Sequence, residues 1–500
     1  MSSDPRGDPT RRDFLRASAI AGAGLLVAGC RAERESREAD ADSGSGANST
    51  PAPGADSANA PAADVTIRIA PVLVELAPDH IISTVGYNGS VPAPLIRLQE
   101  GRSVSVELIN DTDTPELVHW HGQFVPSSID GAAEEGTPLV PPHGKRRYTL
   151  TPKPAGTRWV HTHAFSGSDL NRGMYTGQFG FVYVEPRSDP ARYDREVFLA
   201  THEWEPFFGA QEMGTDAEVW PQGTVPPPSP PDPTPNGYEI GYRSFSINGK
   251  SLGHGEPVRV RRGERVMFRI LNASATENIQ LALPRHQFEV VALDGNPVPT
   301  PHRVSVLALG VAERIDAIVE MNTPGVWILG TPHDDDRRDG MGIVVEYAGA
   351  SGRPQWTAPP REAWDYTVFG TQRVAPPAAQ TIPMVLGKIN GGNNGFNHWT
   401  VNGEQYEHST PIEIHAGQRY RLAFRNLADD PHPVHLHRHT FELVSVNGKA
   451  TAGVRKDTVV VPGYGTVEVD FVADNPGATL FHCHQTLHMD FGLMRLFRYA

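Results

Sequence analysis

Five hundred residues with 39% hydrophobic content, 49 Gly and 45 Pro describe a globular chain of about three domains at ~150 residues each, built from short elements and many turns. A net charge of −14 argues against a nucleic-acid surface and favours solubility, without naming a substrate.

Residues 1–30 read as an export signal rather than as part of the fold. Thr10-Arg11-Arg12-Asp13-Phe14-Leu15-Arg16 resembles a bacterial twin-arginine motif. The apolar stretch from Ala17 to Ala28 that follows is too short, and too rich in Ala and Gly, to span a membrane stably. Twin-arginine signals export proteins already folded, which suits a chain that must hold metal. Val27-Ala28-Gly29-Cys30 closes the stretch and resembles a lipobox, so Cys30 is expected to carry lipid as the first mature residue of a periplasmic or cell-envelope lipoprotein. Any membrane attachment then depends on that lipid alone. The other cysteine is Cys483, and a disulfide between a tail and a metal ligand is not expected. Residues 31–63, nearly devoid of large apolar side chains, have the composition of a disordered tether.

From residue 64 the chain repeats with a period of about 155 residues, the size of a small β-domain rather than of a solenoid unit. Asn88-Gly89, Asn248-Gly249 and Asn402-Gly403 precede strand-like runs that open at Gly101, Gly263 and Gly417 and close at Asn110, Asn272 and Asn426. Val104, Val106 and Leu108 alternate with polar residues in the first run, as do Val266, Phe268 and Ile270 in the second. No helical pattern matches these in strength. The expected fold is all-β, with antiparallel sandwiches over 64–187, 188–349 and 350–500.

Counting from the three Asn residues locates the chemistry. Nine and eleven positions on lie His119 and His121 in the first repeat, Leu281 and Leu283 in the second, His435 and His437 in the third. Five and seven positions past Gly156 lie His161 and His163; past Gly477 lie His482 and His484; past Gly325 lie Gly330 and Pro332. The outer domains thus offer matching His-x-His pairs and the middle one offers none. Packing the outer two face to face would gather eight imidazoles between them, with the middle domain as a spacer. That is too many ligands for a structural zinc, and imidazole suits copper. On a strand, His482 and His484 point one way and Cys483 the other, so a thiolate serving one metal is joined by peptide bonds to two imidazoles serving another.

The four motifs, His119-Trp120-His121-Gly122, His161-Thr162-His163, His432-Pro433-Val434-His435-Leu436-His437 and His482-Cys483-His484-Gln485-Thr486-Leu487-His488, resemble the copper motifs of the multicopper oxidases, the family of laccases. The resemblance runs from about residue 64 to the C-terminus and implies three cupredoxin-like domains and four coppers. By motif, His119 and His435 would hold a type 2 copper. His121, His161 and His484 would hold one type 3 copper, and His163, His437 and His482 the other. His432, Cys483 and His488 form the His₂Cys set of a type 1 centre. The axial position falls at Leu493, which has no donor atom, so the type 1 potential is expected to be high; Met494 would face away on a strand. Asp130, nine residues beyond His121, looks like the acid that supplies protons when dioxygen is reduced. No acid lies between His484 and His488, which leaves a second proton path unassigned. Arg438 stands where many members have glycine, with no partner visible in the sequence. His439 reads as continuing the strand face of His435 and His437, in a packing or supporting role.

The resemblance implies a laccase-like oxidase that takes electrons from phenols or aromatic amines at the edge of His488 and passes them to dioxygen. The alternative is a metallo-oxidase of Cu(I), Fe(II) or Mn(II), although the 9 Met are dispersed rather than clustered. A copper-free relative is disfavoured because every ligand position is filled, and a copper-storage role would not need Cys483 wired between two cluster histidines. The expected partners are dioxygen, a small reducing substrate and the twin-arginine machinery, with no nucleic acid and a monomeric state. Phe207-Phe208 and the Pro-rich stretch from Val225 to Pro235 mark a candidate loop near the substrate mouth.

Overall fold

A computed structural model describes residues 61–188, 192–210, 219–224, 237–373, 375–391 and 395–500. The export signal, Cys30, nearly all of the tether and the Pro-rich 225–235 stretch lie outside the described residues. What is described is almost entirely strand and turn, and no helix in it is long and apolar enough to cross a membrane.

The three Asn-Gly pairs are tight turns built the same way. Asn88, Asn248 and Asn402 all take positive φ (52°, 54° and 56°), as do the glycines after them, the backbone that a two-residue hairpin of this hand requires. Each Asn side chain then ties the turn to a strand about twenty to fifty residues earlier. Its carbonyl accepts from Arg68 N, Ala200 N and Val385 N respectively, and its amide donates to Thr66 O, Phe198 O and Pro383 O. The second set of landmarks repeats as faithfully. Asn110, Asn272 and Asn426 are buried at strand ends, and each accepts from the N–H two residues on while donating to carbonyls across the loop. Buried side-chain amides are satisfied in this way or not tolerated, so these residues fix where each strand stops.

Three pairs of sheets follow. In the first pair, strands His80–Tyr87, Val65–Ala77, Val104–Asn110 and Lys145–Leu150 face Ala93–Gln99, Phe179–Glu185, Gly156–His161 and His119–His121. The middle pair has a six-stranded sheet that includes Arg265–Asn272 and Arg314–Glu320, and a five-stranded sheet that includes Ile279–Ala282 and Val326–Gly330. The last pair contains His432–Leu436, which lies between Thr479–Cys483 and Thr458–Val461. Equivalent strands bring the motifs together: His119 pairs with His161 and His435 with His482 across antiparallel ladders. At the matching place in the middle pair, Leu281 and Leu283 are fully buried core.

Two details differ from the sequence expectation. The strand carrying His435 ends at Leu436, and Arg438 takes φ 61°, so His439 does not continue its face. Instead His439 turns away, with Nδ1 on His437 O and Nε2 2.7 Å from the Tyr499 hydroxyl. Likewise the strand of Cys483 stops there, and Thr486–Asp490 forms a short helix that swings His488 back toward it.

Candidate metal centre

Five trios of buried side chains converge so that one donor atom of each lies within 4.8 Å of the others: His119, His121 and His435; His121, His161 and His484; His163, His437 and His482; His432, Cys483 and His488; and His119, Asp130 and His437. The ligands expected from the resemblance are thus brought together, with His121 also beside the His119–His435 pair, and all are nearly inaccessible.

The hydrogen bonds decide which nitrogen of each ring is free. His119 Nδ1 is bonded to Asp130 O at 2.9 Å, His161 Nδ1 to Thr162 O at 2.8 Å, His435 Nδ1 to Asp457 O at 2.7 Å and His482 Nδ1 to Cys483 O at 2.8 Å. A carbonyl only accepts, so each Nδ1 carries the proton and each Nε2 presents a lone pair inward. His437 follows suit, with Nδ1 2.7 Å from Asp130 Oδ2 and Nε2 3.0 Å from His482 Nε2. His121 is reversed: its Nε2 meets Asp457 Oδ1 at 3.0 Å and its Nδ1 faces His161 Nε2 at 3.4 Å. Nε2 of His119, His163 and His435, and both nitrogens of His484, are buried without a protein partner. Orphaned buried nitrogens on rings that converge this closely fit a metal cluster and are costly otherwise.

Electrostatics agree. Burial, reinforced by neighbouring imidazoles, holds His121, His161, His437, His482 and His484 well below the ordinary imidazole range, and brings His435 down to about 3. Neutral rings are the form that binds metal.

On the other side of Cys483, His432 Nδ1 and His488 Nδ1 are 3.1 Å apart and each lies 3.7 Å from Sγ. Burial pushes the Cys483 thiol up and His432 down. Leu493 is fully buried in the same apolar cluster as Cys483 and Leu487, whereas Met494 packs in another cluster with Leu480 and Met489. Met494 pairs with His482, which puts its side chain on the face opposite Cys483. Trp399 stacks on His488 at 4.1 Å, and the His488 Nε2 edge looks toward Glu239 Oε2 at 3.7 Å.

Glu135 and Glu239 carry no signal in the sequence, and the partners of Arg438 appear only in the structure. Glu135 is buried beside Asp130, accepts from Leu480 N at 2.6 Å and lies 3.6 Å from His437 Nδ1. Burial and then the Asp130 charge push its carboxyl well above the usual range. Arg438 finds its partners in main-chain oxygens: Val125, Ala478, Asn475 and Pro476 accept at 2.6–3.0 Å, with Thr479 Oγ1 at 2.9 Å. Five charge-assisted bonds outweigh the ~1 kcal/mol a side chain costs at positive φ, which explains how an arginine occupies a place suited to glycine. Glu239 reaches His488 from the hairpin pairing Phe207–Ala210 with Tyr238–Gly241, next to an aromatic group of Phe208, Tyr238, Phe396 and Phe491.

Comparison with known proteins agrees with this geometry. Three family models described as multicopper oxidase match residues 74–189, 232–343 and 379–500. The chain is 30% identical over 446 residues to the multicopper oxidase MmcO of Mycobacterium tuberculosis, covering 86% of this chain and 85% of that one. It is 25% identical over 491 residues to laccase-1 of Agaricus bisporus, covering 86% and 88%. Among solved structures, a multi-copper oxidase from Pseudomonas thermotolerans superposes with a TM-score of 0.65 at 27% identity, over 88% of this chain and all of that one.

Proposed function

We propose, from the premise that the chain belongs to the multicopper oxidase family, that it is a laccase-like enzyme withdrawing single electrons from phenols or aromatic amines. As a member it is a copper-dependent oxidoreductase with dioxygen as acceptor. The residues present fit four coppers per chain, which when bound carry one-electron steps from donor to dioxygen and four electrons in all to make water. His432, Cys483 and His488 would hold the type 1 ion, His119 and His435 the type 2 ion. His121, His161 and His484 would hold one type 3 ion, and His163, His437 and His482 the other.

One observation carries the reading: Cys483, buried against His432 and His488, is one peptide unit from each of two histidines that face the eight-imidazole cluster. Electrons taken at the His488 edge can cross to the cluster through covalent bonds. Asp130, fully buried with Oδ2 on His437, is placed to hold a proton beside the cluster. Glu135 lies next to it, 3.6 Å from His437 Nδ1. At the entry side, aromatic rings offer a stacking wall, and the Glu239 carboxylate can accept the hydroxyl proton that a phenol loses with its electron. The same negative charge beside His488 favours cations, which supports the second reading, oxidation of Cu(I), Fe(II) or Mn(II). Oxygen uptake of the copper-loaded enzyme with a phenol panel, set against those metal ions, separates the two. Turnover of the metal ions alone would refute the laccase-like reading. Export by the twin-arginine route and anchoring through a lipid on Cys30 belong to the same proposal.

A further inference from the structure

The sandwich without copper ligands sends one arginine to the metal cluster. Arg314 begins the strand Arg314–Glu320 and is fully buried. Its guanidinium forks onto Asp457, Nη1 to Oδ1 at 2.7 Å and Nη2 to Oδ2 at 2.6 Å. The remaining N–H groups donate to Thr157 O at 3.3 Å, Ala312 O at 3.0 Å and Asp294 O at 3.2 Å. One planar group thus joins all three sandwiches, a task a lysine ammonium cannot copy.

Asp457 in turn touches the cluster twice. Its Oδ1 accepts from His121 Nε2, and its main-chain oxygen accepts from His435 Nδ1. His121 is the one cluster ring whose protonated nitrogen is fixed by a carboxylate of the third sandwich. Gly122 leaves the space: a Cβ there would lie 2.5 Å from Asp457 Oδ2 and 2.9 Å from Arg314 Nη2.

We propose that Arg314 is a positioning residue for the trinuclear histidines. By clamping Asp457 it sets the ring orientation and free nitrogen of His121, and steadies the backbone oxygen that does the same for His435. The middle sandwich is then a working part of the cluster rather than a spacer. The inference rests on the copper reading above.

Arg314→Lys keeps the positive charge and removes the fork. Outer-shell partners of this kind are worth about 10–100-fold in metal affinity, so copper affinity should fall by that factor at the type 3 site of His121 and the type 2 site of His435, and the type 2 EPR hyperfine splitting should change. The blue type 1 band and its potential should stay as in wild type. Asp457→Asn, which keeps the shape, should show the same pattern and serves alone if Arg314→Lys does not accumulate. A type 2 spectrum and cluster copper affinities equal to wild type, in whichever variant is obtained, would overturn the positioning role. Wild-type protein that takes up no type 2 copper would instead refute the functional reading itself.

Discussion

Leu493→Met tests the wiring of the type 1 set. Leu493 is pinned between two of the three candidate ligands: its N–H donates to His488 O at 2.9 Å and its carbonyl accepts from Cys483 N at 3.0 Å. Its side chain lies in the cluster of Cys483 and Leu487 with no solvent exposure. A Leu-to-Met exchange nearly conserves volume and should cost less than about 1.5 kcal/mol, leaving the fold intact. A thioether at this position becomes a weak axial donor, which favours the oxidised ion and lowers the potential. For a one-electron couple 30 mV is about 0.7 kcal/mol, half the two-electron figure, so a fall of ~100 mV removes about 2 kcal/mol of driving force. Redox titration of the blue band reads it directly. High-potential phenols should be oxidised more slowly and easy donors less so, with copper content unchanged. An unaltered potential here, with a shift in Met494→Leu instead, would refute the assignment of Leu493 to the axial side.

Glu239→Gln should lower kcat/KM for phenols about 10–100-fold, the value of a charged hydrogen bond, and leave a donor without an ionisable hydroxyl unaffected; equal loss for both would show a general defect. Burial pushes Glu203 from 4.5 up to about 7, with Ala275 N donating to its carboxyl at 2.9 Å. A raised folded value gives stability that is complete below about pH 4.5 and lost as pH rises through about 7, up to about 3 kcal/mol. Denaturation of the copper-free protein across that window should therefore show a smaller loss for Glu203→Gln than for wild type; parallel curves would contradict the sign. Cys30→Ala should move the enzyme from membranes into a soluble extracytoplasmic fraction, and unchanged membrane retention would sink the lipid anchor.

The eight cluster histidines were legible because they fall at fixed offsets from Asn110, Asn426, Gly156 and Gly477, and strands closed by such landmarks keep their register. What surrounds them was not. Asp457 meets His121 across 336 positions and Glu135 meets Leu480 across 345, and nothing local marks either acid. Glu239 reaches His488 only because a hairpin far away in sequence folds over the third sandwich. His439 was misread for a local reason: alternation continues through residue 439, whereas the positive φ of Arg438 breaks the strand and is not visible in one sequence.

The most direct test compares copper-loaded wild type with Cys483→Ser by copper analysis, visible absorption and oxygen uptake. Wild type should hold four coppers per chain, show an intense blue thiolate band and consume dioxygen with a phenol. The variant should keep its fold and the three cluster coppers while losing one copper, the band and turnover. A variant that remains blue, or a wild type that binds copper yet never shows the band, would contradict the account.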